Sequence, residues 1–173
     1  MIYKTLSEIS VKSKGEYGIG ASSCSFNFDF PQYIRITDIT DDGRYSPNPP
    51  VSINPYEYPD FDKYFLKQND IVFARTGAST GRNYFYNPAD GNLVYAGFLI
   101  KFSLNPNLIN PKYVKYYCQS KKYYDWIASA VTGSTRENLN AQAYGNLEIP
   151  IKSEQEQKHI VDTKCYSSLS KIS

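Results

Sequence analysis

The feature that most constrains this chain is a change of hydrophobic period part-way along it. In the first half the apolar residues come in short bursts. Tyr33-Ile34-Arg35-Ile36-Thr37-Asp38-Ile39 alternates with period two, and Thr40-Asp41-Asp42-Gly43 closes it as a turn. Asp70-Ile71-Val72-Phe73-Ala74-Arg75 is a near-continuous apolar run fit for a buried strand, and Val94 to Phe102 is another. Between them Pro47, Pro49, Pro50, Pro55 and Pro59 deny residues 46–60 any regular element. In the second half the period becomes helical. Asn110 caps a helix with Pro111 at its first position, and Tyr113, Val114, Tyr117, Tyr124, Ile127 and Val131 recur at helical spacing up to Gly133. A short helix is expected after residue 140. Ser153-x-x-Glu156 then opens a polar helix in which Val161, Cys165, Leu169 and Ile172 form a narrow stripe suited to a partner helix.

Short strands followed by helices predict a single α+β domain, an irregular β-rich region packed with helices, over residues 1–152. A C-terminal helix projects from it over 153–173. A chain of 173 residues is long enough to bury a core, and it shows no internal repeat, low-complexity segment or flexible linker. No stretch approaches the ~20 apolar residues that span a bilayer. The N-terminal MIYKTLSEIS has neither an apolar core nor a cleavage site, so the expectation is a soluble, cytoplasmic protein. Cys24, Cys118 and Cys165 lack Cys-x-x-Cys spacing, and the lone His159 lies in a polar stretch. A disulfide framework, a metal site and a cofactor are therefore not expected.

Composition adds two pointers. The chain has 17 Tyr and 9 Phe against one Trp and one Met. Tyrosine either packs a half-buried strand face or offers its hydroxyl to a phosphate or a base edge, and the count leaves both open. The net charge of +2 conceals a segregation: residues 29–62 hold seven acids and two bases, whereas 63–136 hold ten bases and three acids. A basic face beside an acidic one fits an anionic partner, although chance clustering on a solvated surface gives the same count.

The most distinctive string is Arg75-Thr76-Gly77-Ala78-Ser79-Thr80-Gly81-Arg82, between two strand-like runs. Its glycines permit a tight turn with exposed N–H groups, Thr76, Ser79 and Thr80 add hydroxyls, and an arginine stands at each end, a composition suited to phosphate. It is not the nucleotide-binding P-loop, which needs four residues between the glycines and then Lys-Ser/Thr opening a helix. An ordinary hairpin turn is the plain alternative. A second string, Thr132 to Asn140, places Ser134, Thr135 and Arg136 at an element boundary, where a guanidinium can reach a guanine edge or phosphate oxygens. Lys112, Lys115, Lys121 and Lys122 lie on helix turns that the apolar stripe does not use. The expected division of labour is Arg82 or Arg75 on a phosphate and Arg136 on a base.

Catalytic readings fare worse. Asn48-Pro49-Pro50-Val51 approaches the Asn-Pro-Pro-aromatic motif of amino-group DNA methyltransferases, but Val51 cannot stack on a flipped base. No glycine-rich strand-turn-helix for S-adenosylmethionine accompanies it. Pro59-Asp60-Phe61-Asp62-Lys63 packs its acids too closely to imitate a nuclease pair, and no nucleophile set forms around His159.

Taken in order, the strings Tyr33–Ile39, Leu66-Lys67-Gln68-Asn69-Asp70-Ile71-Val72-Phe73-Ala74-Arg75-Thr76-Gly77, Ala96-Gly97-Phe98-Leu99-Ile100, Gly133-Ser134-Thr135-Arg136, Leu147-Glu148-Ile149-Pro150 and Glu154-Gln155-Glu156-Gln157 resemble the target recognition domain of type I restriction-modification specificity subunits. The resemblance spans nearly the whole chain. It implies a fold similar to the recognition domain of some adenine methyltransferases and a non-catalytic domain that reads a few base pairs of duplex DNA in one half of a split target. It also implies methyltransferase and restriction subunits as partners. Family members usually carry two such domains joined by two long helices, so this chain is expected to be a fragment or a half-subunit that forms a homodimer through its last helix. The alternative is an RNA- or protein-binding module with a tyrosine-rich surface, which binding to duplex rather than single strands would separate. A weaker alternative, a DNA-modifying enzyme, is decided by methyl transfer from the chain alone.

Overall fold

The computed structural model describes residues 1–132 and 138–170. In chain order the strands are β1 (Ile2–Thr5), β2 (Glu16–Tyr17), β3 (Cys24–Ser25), β4 (Gln32–Ile34), β5 (Val51–Ser52), β6 (Asp70–Ala74), β7 (Asn83–Phe85), β8 (Leu93–Tyr95) and β9 (Leu99–Ser103). Helices α1 (Pro111–Tyr117), α2 (Lys121–Thr132) and α3 (Ala141–Gly145) follow, then β10 (Glu148–Ile151) and α4 (Glu154–Leu169). This is the expected α+β order.

The apolar run at 70–75 is a central strand. It lies antiparallel between β9 and β7 in a four-stranded sheet of order β2-β9-β6-β7, with Ile71 opposite Phe102 and Phe85. The run is continuous because both faces are covered. Ile71 and Phe73 enter a core shared with the helices through Tyr113, Val114, Tyr123 and Tyr144, whereas Val72 and Ala74 face Ile34, Leu93 and Tyr95 of the second sheet, β3-β5-β4-β8. A third cluster of Ile19, Tyr33, Ile53, Val94 and Ala96 lies under the proline-rich loop. β1 pairs with β10, Ile2 opposite Ile151, and so joins the start of the chain to the strand before α4.

Three predicted elements are shorter than their patterns. The 33–39 run leaves the sheet after Ile34, because the Asp38 carboxylate accepts from the Arg35 N–H and guanidinium and draws residues 36–38 into a 3-10 turn. The 94–102 run breaks at Ala96–Phe98, where the backbone of Gly18 crosses: a Cβ on Gly18 would lie 2.0 Å from the Ala96 carbonyl oxygen, which admits only glycine. The long helix divides at 118–120. There the Cys118 carbonyl accepts from Asn83 Nδ2 at 2.9 Å, and Ser120 Oγ starts α2 by accepting from Tyr123 N.

The starts of α1, α3 and α4 are as the sequence predicts. Asn110 accepts from Lys112 N with Pro111 at the first turn, Asn140 caps α3, and Ser153 with Glu156 forms a reciprocal capping box. The α4 stripe divides between two environments. Gln157 is buried, accepting from Asn110 N and donating to the Lys152 carbonyl; Val161 enters the main core and Cys165 meets the Tyr116 hydroxyl. Beyond that point Tyr166 and Leu169 stand exposed, and Ile172 lies outside the described residues.

Candidate nucleic-acid interface

The Arg75–Arg82 string connects β6 to β7, as its flanking patterns predict. Gly77–Ser79 form one 3-10 turn, with Gly77 at φ 65° and Gly81 at φ 98°, a backbone that favours glycine. Tyrosines hold it from beneath. The buried Tyr144 hydroxyl donates to the Ala74 carbonyl at 2.6 Å and accepts from Gly81 N at 3.1 Å, while Tyr123 donates to the Gly81 carbonyl at 2.6 Å. Burial pushes both phenols well above their ordinary range, so they are neutral donors at any physiological pH. The N–H groups of Thr80, Gly81 and Arg82 are spent on Gly77, Ala74 and Ser79 carbonyls. That half of the turn is a braced scaffold and offers no amide cradle. Thr80 Oγ1 also turns inward to Gly77, and Thr76 bridges to Asn138.

The two arginines leave the braced turn towards different surroundings. Arg82 Nε donates to Asp41 at 2.7 Å, and the Tyr124 hydroxyl of α2 reaches the Asp41 carbonyl at 3.4 Å. The acidic 29–62 block and the basic block that follows therefore meet here and partly neutralise each other. An ion pair this exposed is worth about 0–1 kcal/mol, so Arg82 is available to a competing phosphate. Lys121 and Lys122 sit exposed on the first turn of α2, with Lys121 paired to Asp125. Lys112 is exposed on α1; Lys115 is half-buried, and burial lowers its ammonium pKa. Ser134, Thr135 and Arg136 lie outside the described residues.

Arg75 points into a cleft of about 860 Å³ whose lining includes Tyr17, Gly18, Arg35, Ala96, Gly97 and Phe98. Its Nε donates to the Gly97 carbonyl at 3.2 Å, and its guanidinium lies against the rings of Tyr17 and Phe98. The sequence pattern assigns neither ring to a binding site. Phe98 sits inside a string taken as a strand, and Tyr17 is a lone aromatic in a two-residue strand; a signal would have required knowing that both pack beside Arg75.

Seven of the 17 tyrosines resolve the other way. Tyr33, Tyr84, Tyr86, Tyr95, Tyr113, Tyr123 and Tyr144 are buried, and their hydroxyls satisfy carbonyls or, for Tyr84, the Asp90 carboxylate. Those seven rings are core residues with satisfied hydroxyls, and nothing in their placement favours a tyrosine-rich binding surface. Cys24, Cys118 and Cys165 are free thiols. Among the described residues no helix is long and apolar enough to cross a membrane, and no group of three or more His, Cys, Asp or Glu side chains is placed to hold a metal.

Residues 4–163 match the family model of the type I restriction modification DNA specificity domain. The chain belongs to that family. No curated protein matches its sequence. Solved chains of similar fold include one from a structure describing complex assembly and conformational transition of the type I restriction-modification system, with TM-score 0.67 and 15% identity over 96% of this chain and 42% of that one. The HsdS subunit from Thermoanaerobacter tengcongensis gives TM-score 0.66 and 17% identity over 99% of this chain and 42% of its own. The S subunit from M. genitalium gives 0.52 and 14%, over 98% and 41%. At these identities the likeness speaks for the fold, and this specificity-domain chain spans about two-fifths of the length of the solved chains it resembles.

Proposed function

We propose that this chain is a sequence-specific reader of duplex DNA, recognising one half of a split target for a type I restriction-modification complex, and that it carries out no chemistry itself. The observation that carries the reading is the family match over residues 4–163, joined to a fold that holds an arginine-bearing turn rigidly at the end of its central strands. In this reading Arg82, Lys121 and Lys122 meet phosphates, with Thr76, Ser79 and Thr80 shaping the turn between them. Ser134, Thr135 and Arg136 contribute from the string after α2. Methyltransferase and restriction subunits are the partners that supply catalysis, in the cytoplasm. Residues 1–152 form the recognition domain, and α4 begins the helix that joins it to a second copy or a second domain, using the surface around Leu169 that its own core leaves exposed.

Selection from a random duplex library tests this directly. The chain should enrich a short motif of a few base pairs, and it should show no methyl transfer, strand cleavage or ATP hydrolysis that tracks the protein through purification. Retention of all duplexes alike would refute the reading.

A further inference from the structure

The described residues include four arginines, and three of them face a carboxylate. Arg35 forks onto Asp38, Arg44 sits on Asp42 and Arg82 on Asp41. Arg75 faces none. Its Nε is held by the Gly97 carbonyl at 3.2 Å, and its guanidinium carbon lies 5.2 Å from the Tyr17 ring centroid and 5.6 Å from that of Phe98. Those residues are 46% and 54% exposed, so neither is committed to a core; what they share is contact with the Arg75 guanidinium. The Tyr17 ring is held at its hydroxyl, and the Phe98 main chain is tied to that of Arg75. The Tyr17 hydroxyl accepts from Ala141 N at 3.0 Å at the start of α3, and the Phe98 carbonyl accepts from Arg75 N at 3.1 Å.

With Nε engaged, the two terminal nitrogens form a preoriented fork. They open on a cleft whose lining contains no carboxylate among the described residues, and the other arginine there, Arg35, has its fork occupied by Asp38. A phosphate can be met by a guanidinium from many directions. A guanine presents O6 and N7 side by side in the plane of the base, so only a fork of fixed orientation meets both.

We propose that Arg75 is a specificity-determining residue that reads a guanine edge in the major groove, and that Tyr17 and Phe98 are positioning residues that hold its fork in the plane of the base. This rests on the reading of the chain as a duplex-DNA reader, and it gives Arg75 the base-reading role that the sequence pattern suggests for Arg136.

The test takes a duplex selected by the full chain and replaces its guanines one at a time with 7-deazaguanine, which removes N7 and preserves pairing. At one position the wild-type chain should lose affinity roughly tenfold or more. Arg75→Ala should be indifferent to the replacement there. Arg75→Lys, which keeps the charge without the fork, should bind scrambled duplex as wild type does yet lose the preference. Phe98→Ala, at an exposed site, should weaken the same preference with its unfolding temperature little changed. An equal 7-deazaguanine cost in wild type and Arg75→Ala, or equal losses on selected and scrambled duplex, would overturn the proposal and leave Arg75 a phosphate contact. Failure of the wild type itself to select any sequence would instead bring down the DNA-reading function on which it rests.

Discussion

Replacing Tyr144 with phenylalanine removes one oxygen from beneath the Arg75–Arg82 turn and leaves the packing against Phe73 intact, their ring centroids being 4.8 Å apart. Two contacts go: the donation to the Ala74 carbonyl at 2.6 Å and the acceptance from Gly81 N at 3.1 Å. Their loss is not doubled, because Gly81 N also reaches the Ala74 carbonyl at 3.1 Å and can close on it. One net hydrogen bond plus partial desolvation of a carbonyl gives a cost of about 1–2 kcal/mol. For a chain of this size that lowers the unfolding temperature by about 2–4 °C per kcal/mol. Urea and thermal unfolding would measure it, with Tyr56→Phe, at 86% exposure, as the control that should stay within about 0.5 kcal/mol. Amide exchange at Gly81 should accelerate. Adding Tyr123→Phe should give a non-additive total, since both hydroxyls hold Gly81. Unchanged stability with unchanged protection at Gly81 would show that the turn is not braced from below, and the rigidity assigned to it would fall.

Further outcomes are specific. Affinity for duplex should fall as salt rises, with a negative slope of log affinity on log salt, and salt-independent binding would contradict phosphate contact by Arg82, Lys121 and Lys122. Asp41→Ala should strengthen binding to any duplex by releasing Arg82, at a stability cost of no more than about 1 kcal/mol for so exposed a pair; weaker binding in a filter or anisotropy assay would reverse that assignment. Hydrogen bonds from Ser153 hold the Glu156 carboxyl below its ordinary value of 4.5. The cap therefore contributes stability above the unfolded pKa and loses it as pH falls through the lower folded one. An NMR titration should find Glu156 ionising below the ordinary range, and Ser153→Ala should raise it and cost about 1 kcal/mol; an unshifted Glu156 would refute the capping box.

What the sequence made legible was local. The caps at Asn110 and Ser153 need only residues a turn away, and β6 is marked by five consecutive buried positions. What it concealed was set by distant partners. Nothing near residue 96 announces that Gly18 will cross there, and nothing near Cys118 announces the amide of Asn83 that receives its carbonyl. The period-two run at 33–39 was overruled by one ion pair, Arg35 with Asp38. The Arg75–Arg82 turn could be located from its glycines, but its function could not be apportioned. Asp41 takes up Arg82 and the rings of Tyr17 and Phe98 hold Arg75, and all three lie far from the turn in sequence.

The central claim is that this chain distinguishes one duplex sequence from another, and the most direct measurement is the ratio of its dissociation constants for a library-selected duplex and for the same bases scrambled, at near-physiological salt. With a mismatched base pair typically costing 1–3 kcal/mol, reading even two or three positions predicts a ratio of about a hundred or more. A ratio near one, with the single strand bound as well as the duplex, would contradict it.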